Sequence, residues 1–130
     1  MPERSRDWIV QAQRDLESAR AQLRDDFSEW ACFISQQAAE KAVKAVFQKL
    51  GAEAWGHSVT DLLKGLQEKI AIPSELIDKA KKLDRFYIPA RYPNGWVSGT
   101  PAEYITKEDA QDAISNSEKI VQFCKSFLVK

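Results

Sequence analysis

The chain has 130 residues, 44% of them hydrophobic and 29% charged, which predicts a single globular domain over 1–130 and excludes a disordered or fibrous chain. Lys plus Arg and Asp plus Glu are equal at 19 each, so no net charge steers the chain toward nucleic acid or an anionic membrane, and any electrostatic preference is local. The longest apolar runs are far shorter than a membrane span, and the residues after Met1 are charged and polar, so a cytoplasmic protein with no membrane association is expected.

Five helical segments follow from periodicity. The first runs from about Glu3 to Asp25, where Trp8, Ala12, Leu16, Ala19 and Leu23 recur every three or four residues and form one stripe. The second runs from about Ser28, a candidate N-cap, to Leu50, with Gly51 as its stop. Ala31, Ile34, Ala38, Ala42, Ala45 and Val46, continued by Cys32, Ala39 and Val43, cover more than half of its circumference. Such a helix is central, and its alanines predict close approach by neighbours. A narrow polar face keeps Gln36, Gln37, Glu40, Lys41 and Lys44, with Glu40 and Lys44 in the favourable i,i+4 order.

The third segment, about Ser58 to Ile70, presents Val59, Leu62, Leu63, Leu66 and Ile70, and Ser58 or Thr60 caps it. Pro73 separates it from the fourth, about Ser74 to Tyr87, which has Ser74 as cap and Leu76, Ile77, Ala80, Leu83 and Tyr87 as its stripe. The fifth, about Lys107 to Val129, opens with an acidic capping box of Thr106 and Asp109. No period-two segment is long enough for a strand. The expected fold class is therefore all-α, an up-and-down bundle of four to five helices. The one long connection, Ile88 to Ile105, holds three prolines and two glycines, yet its aromatics Tyr92, Trp96 and Tyr104 argue for an ordered loop that packs or stacks. Cys32 and Cys124 lack metal-ligand spacing and are expected as buried free thiols.

The richest stretch lies at the end of the fourth segment. Lys79, Lys81, Lys82, Arg85 and Arg91 surround a single acid, Asp84, and Phe86, Tyr87, Tyr92 and Trp96 interleave with them. Cations for phosphates beside rings for bases suit a nucleotide or a single-stranded nucleic acid. The same pattern also describes a solvated helix face followed by a loop packed on the core. His57, the only histidine, reads as a general base or nucleotide contact, or as a helix-entry residue bonded to backbone. Asp15 and Glu40, near Arg14, Lys41 and Lys44, read as an ion-pair network. No Gly-rich phosphate loop, nucleophile elbow or clustered metal-ligand motif is present, and no cofactor or metal is expected.

The string Ala31-Cys-Phe-Ile-Ser-Gln-Gln-Ala-Ala-Glu-Lys-Ala-Val-Lys-Ala45, then Gly51, His57-Ser58 and Ala90-Arg-Tyr-Pro-Asn94, resembles the HEPN family, the nucleotide-binding domain of higher eukaryotes and prokaryotes. The resemblance covers nearly the whole chain. It implies a helical bundle that commonly forms a homodimer, is often encoded beside a minimal nucleotidyltransferase, and in some pairs acts as toxin and antitoxin. Many members are metal-independent ribonucleases in which an Arg, four to six residues, then a His act together: the Arg holds the scissile phosphate and the His moves a proton. Here His57 is preceded by Lys49-Leu50-Gly51-Ala52, and Arg91 is followed at the corresponding positions by Trp96, Val97 and Ser98, so that motif is absent.

The resemblance and the residues together predict a dimerising module that binds a nucleotide or RNA phosphate and partners a minimal nucleotidyltransferase in a toxin–antitoxin-like system. Arg91, Tyr92, Arg85, Lys82 and His57 are its candidate phosphate contacts, and no catalytic residue is assigned. One alternative is a diverged ribonuclease toxin, in which Arg91 clamps phosphate and Tyr92, Tyr104 or His57 replaces the missing base. The other is a structural adaptor whose loop aromatics make a protein interface.

Overall fold

Helices α1 (Ser5–Arg24) and α2 (Ser28–Lys49) form a hairpin closed by Asp25, Asp26 and Phe27. Asp26 turns the chain in the left-handed region at φ 68°, which a short polar side chain tolerates. The structure, a computed structural model, describes residues 3–129. Among the described residues there are four further helices and no strand: α3 (Val59–Leu66), α4 (Ser74–Asp84), α5 (Pro101–Tyr104) and α6 (Lys107–Leu128). None is long and apolar enough to cross a membrane.

The wide apolar arc of α2 makes it the centre, packed against each of the other five helices. Ala31, Ala38, Ala39, Ala42 and Ala45 are fully buried, and their small side chains admit close backbone approach. The core side of α1 is centred on Ile9, Ala12, Leu16 and Ala19, with Trp8 and Leu23 only half buried at its margin. Ser117 on α6 donates to the Ser35 carbonyl at 2.7 Å, a buried tie between α6 and α2.

The expected capping box forms at α6: Thr106 Oγ1 accepts from the Asp109 amide at 3.0 Å, and the Asp109 carboxylate accepts from the Thr106 amide at 2.9 Å. Ser58 caps α3 by accepting from the Asp61 amide at 3.1 Å. Ser28 and Ser74 do not cap. Phe27 and Pro73 occupy the cap positions, because their carbonyls accept from the amides of Ala31 and Leu76 at 3.0 Å each.

Two boundaries also shift. Helix α3 ends at Leu66, and the chain reaches Ile70 through isolated turns. Helix α4 ends at Asp84 rather than Tyr87, and tight turns carry the chain to Arg91, with Phe86 donating to the Leu83 carbonyl and Arg91 to that of Ile88, each at 3.0 Å. Pro89 lacks an amide hydrogen and disfavours helical backbone at Ile88, so no helix continues through this stretch. The connection from Ile88 to Ile105 is ordered by a 3-10 turn, Pro93–Gly95, and by α5, each entered at a proline.

One polar knot sets where α3 begins. The Asp84 carboxylate, at the end of α4, accepts from the amides of Val59 (3.0 Å) and Thr60 (2.9 Å) and from the hydroxyls of Thr60 (2.6 Å) and Ser58 (3.2 Å). It thus satisfies the open amides of a helix N-terminus from a distant element. The fully buried Gln36 donates through Nε2 to Asp84 at 3.1 Å and to the His57 carbonyl at 2.8 Å. The middle of α2, the start of α3 and the end of α4 meet at this point.

Asp84→Ala is expected to reduce unfolding free energy by about 3 kcal/mol, since it leaves buried donors without an acceptor, and Asp84→Asn by about 1 kcal/mol; urea denaturation measures both. Burial pushes the thiols of Cys32 and Cys124 up to about 12, and the carboxylates of Asp109 and Glu29 add to the shift at Cys32. The folded chain holds these protons more tightly than the unfolded one, so this stabilisation is complete below about pH 9 and is lost as pH rises toward 12. At pH 8 a thiol reagent is expected to label neither cysteine until denaturant unfolds the chain.

Candidate functional site

Arg91 stands in the last of the turns after α4, and its side chain is fixed before any ligand arrives. Nε donates to the Tyr87 carbonyl at 2.8 Å. The guanidinium carbon lies 4.3 Å from the ring centre of Phe33, 4.7 Å from that of Tyr87 and 5.1 Å from that of Tyr92, cation–π distances in each case. Phe33 comes from α2, and Trp30, one turn earlier, meets it edge-on at 6.2 Å. Among the described residues the two terminal amino groups of Arg91 have no hydrogen-bond partner. They remain free for an anion.

His57 approaches the same place from the other side of the knot. Gly56, at φ 85°, supplies the left-handed turn that delivers it. The imidazole stacks on Tyr87 with centres 5.4 Å apart and planes 17° apart. Its Nδ1 lies 3.2 and 3.3 Å from the two Glu40 oxygens. The imidazole is 59% exposed, whereas the Glu40 side chain is 6% exposed. The same carboxylate pairs with Lys44 at 3.2 Å and accepts from Gln37 Nε2 at 3.4 Å. Gln37 also donates to Gln36 Oε1 at 2.8 Å, which completes the bonds of the buried amide.

One ring, Tyr87, therefore carries both Arg91 and His57. The site unites three of the five candidate contacts, Arg91, His57 and Tyr92, the last 47% exposed beside the guanidinium. Lys82 and Arg85 stand exposed on and just beyond α4, and among the described residues neither forms an ion pair or joins this cluster. Tyr104 lies apart from it, stacked on Trp96 at 4.5 Å with planes 5° apart. Trp96 Nε1 donates to the Pro89 carbonyl at 2.7 Å, and a Cβ on Gly95 would stand 2.9 Å from the Pro89 Cα. Glycine is thus required for the loop to close against the chain that leads into Arg91.

Asp15 and Glu40 serve separate partners: Asp15 pairs with Lys41 at 2.6 Å and accepts from Gln11 at 2.9 Å, and Glu40 takes Lys44 and His57. Sequence reasoning placed Glu40 and Lys44 in an ion pair but missed the link to His57. It also missed Phe33 and Tyr87 as platforms and Gln36 as a buried anchor. The available signal was the i,i+4 row Gln36, Glu40, Lys44 on an otherwise apolar helix.

The profile of the HEPN domain family matches residues 5–127, and the chain belongs to that family. It is 30% identical to "Putative toxin MJ1304" of Methanocaldococcus jannaschii, over 93% of this chain and 86% of that protein. Two crystal structures are similar throughout. The protein TT1696 from Thermus thermophilus has a TM-score of 0.93 and 41% identity, over 96% of this chain and 98% of the other. An HEPN domain protein from Thermotoga maritima has a TM-score of 0.79 and 41% identity, over 95% and 98%.

Tyr87→Leu removes the shared platform. It is expected to lower stability by about 1–2 kcal/mol, from lost stacking and cation–π contacts. The ring-current shifts that Tyr87 imposes on the His57 Hδ2 and Hε1 signals should vanish from the proton spectrum; shifts unchanged in the variant would contradict the stacking.

Proposed function

We propose that this HEPN chain binds a nucleotide or RNA phosphate at Arg91, with Tyr92 and His57 completing the contact, and that it works as a homodimer beside a minimal nucleotidyltransferase in a toxin–antitoxin-like pair. The observation that carries the reading is the fixed guanidinium of Arg91. Three rings and one backbone carbonyl hold it, while its terminal amino groups stay free in the fork geometry that phosphate oxygens match. Tyr92 offers an exposed ring on which a base can stack. Lys82 and Arg85 add positive charge outside the cluster and act on the ligand through the field rather than by contact. The family's habit of pairing with a nucleotidyltransferase and the name of the archaeal relative support the toxin–antitoxin setting.

A second reading, RNA cleavage by a diverged site, is favoured by one observation. Arg91 and His57 share the Tyr87 ring although the ribonuclease motif that would bring them together is absent. Incubation of the purified protein with RNA separates the two readings, since a binding module leaves the RNA intact.

Titration with adenine nucleotides and short single-stranded RNAs is the direct test. Arg91→Ala is expected to weaken binding about 10- to 100-fold, the loss of a charge-assisted hydrogen bond. Lys82→Ala and Arg85→Ala should weaken it only a few-fold and only at low salt. Absence of binding by the wild-type protein would overturn the reading.

A further inference from the structure

We infer that Asn94 is a site of spontaneous deamidation, and that the reaction opens the loop which closes against Pro89. The inference does not depend on what binds at Arg91.

The chain holds two asparagines, Asn94 followed by glycine and Asn116 followed by serine. An asparagine loses its amide when the backbone nitrogen of the next residue reaches its side-chain carbon. Glycine places no Cβ beside that nitrogen and lets the backbone bend toward the side chain. Asn94 and Gly95 are both exposed, on the 3-10 turn of the long loop. Asn116 lies inside α6, where helical bonding occupies the next amide and the Ser117 side chain is fully buried against α2.

Gly95 is not free to be replaced, because a Cβ there would stand 2.9 Å from the Pro89 Cα. The packing that closes the loop therefore also keeps Asn94 beside its reactive neighbour. One restraint opposes the reaction: the Gly95 amide donates to the Tyr92 carbonyl at 3.2 Å and must leave that bond before it attacks. This restraint is local. A single turn with no buried residue opens at far lower free energy than the middle of a 22-residue helix.

The Gly95 nitrogen gives its proton to solvent and attacks Cγ of Asn94. A carbon–nitrogen bond forms, the bond from Cγ to the side-chain nitrogen breaks, and ammonia leaves. Water then opens the resulting cyclic imide. Opening at the side-chain carbonyl yields aspartate. Opening at the backbone carbonyl yields isoaspartate, in which the main chain runs through the side-chain methylene and is one atom longer. Either product adds a negative charge.

Residue 94 is enclosed by two turn bonds, the one from Gly95 to Tyr92 and one from the Trp96 amide to the Pro93 carbonyl at 3.0 Å. An added main-chain atom between them breaks the turn and moves Gly95 off its place against Pro89. The Trp96 indole then loses its anchor, the Nε1 bond to the Pro89 carbonyl at 2.7 Å.

The test ages the folded protein at pH 8 and follows both asparagines by peptide mass mapping. Conversion at Asn94 is expected to be at least about tenfold faster than at Asn116, the gap between opening one turn and opening a helix. Methyl transfer by an isoaspartyl methyltransferase should label the aged protein and not the fresh one. Asn94→Gln, whose longer side chain closes the imide ring far more slowly, should abolish that label and keep the Trp96 Nε1–H signal of the fresh protein in proton–nitrogen spectra. The isoaspartate fraction, separated by ion exchange, should have lost that signal from its original position. Asn94 left intact while the urea-unfolded chain converts it, conversion no faster than at Asn116, or a label that survives Asn94→Gln overturns the site. An isoaspartate fraction with an unshifted Trp96 signal overturns the opening of the loop.

Discussion

A helix that starts inside a bundle must find acceptors for its first amides, and α3 starts against α2 and the end of α4. Its acceptor is a carboxylate on another helix. Asp84 takes the amides of Val59 and Thr60, and Gln36 closes the arrangement by donating to both Asp84 and the His57 carbonyl. This requirement positions two segments together. It holds His57 just before the first turn of α3, and it fixes the residue from which the chain turns away toward Tyr87 and Arg91. A buried side-chain amide is costly unless all its bonds are made, and here Gln36 Oε1 is satisfied by Gln37. The polar face of α2 is therefore an internal joint rather than a solvated strip.

In the family's ribonuclease motif, Arg and His are neighbours because a few residues separate them along the chain. This HEPN chain lacks that spacing, and the phenol ring of Tyr87 brings the two residue types together by stacking instead. The arrangement depends on tertiary structure at every step: the knot at Asp84, the left-handed Gly56, and the loop tied down by Trp96 on the Pro89 carbonyl. A site built in this way is sensitive to packing far from its ligand-facing atoms.

Much of the fold was legible because it follows from spacing. The stripes of α3 and α4, the alanine arc of α2 and the Thr106–Asp109 box each depend on residues within a few turns of one another. The misplaced ends at Ile70 and Tyr87 show the limit, since apolar period continues there after the helical hydrogen bonds have stopped. Arg91, Tyr92 and His57 stood out by residue type, but their meeting did not. It is decided by Asp84, which reads in sequence as one acid among lysines, and by Gln36, which reads as surface. Lys82 and Arg85 illustrate the converse, for a charged helix face has the same pattern whether or not anything binds to it. Glu40 was legible as the partner of Lys44, four residues away on one helix, and illegible as the partner of His57, whose place depends on the start of α3.

The rings around Arg91 also bear on how freely that position can change. A long side chain loses several rotatable degrees of freedom when it grips a ligand, and that loss weakens affinity. Phe33, Tyr87, Tyr92 and the Tyr87 carbonyl have already removed this freedom during folding, so an anion meeting the proposed contact would not have to supply it. The same confinement makes the position intolerant of a chemically modest exchange. Lysine has no flat delocalised cation to lie against three rings and no Nε–H to meet the carbonyl, so it would keep the charge while losing the rigidity.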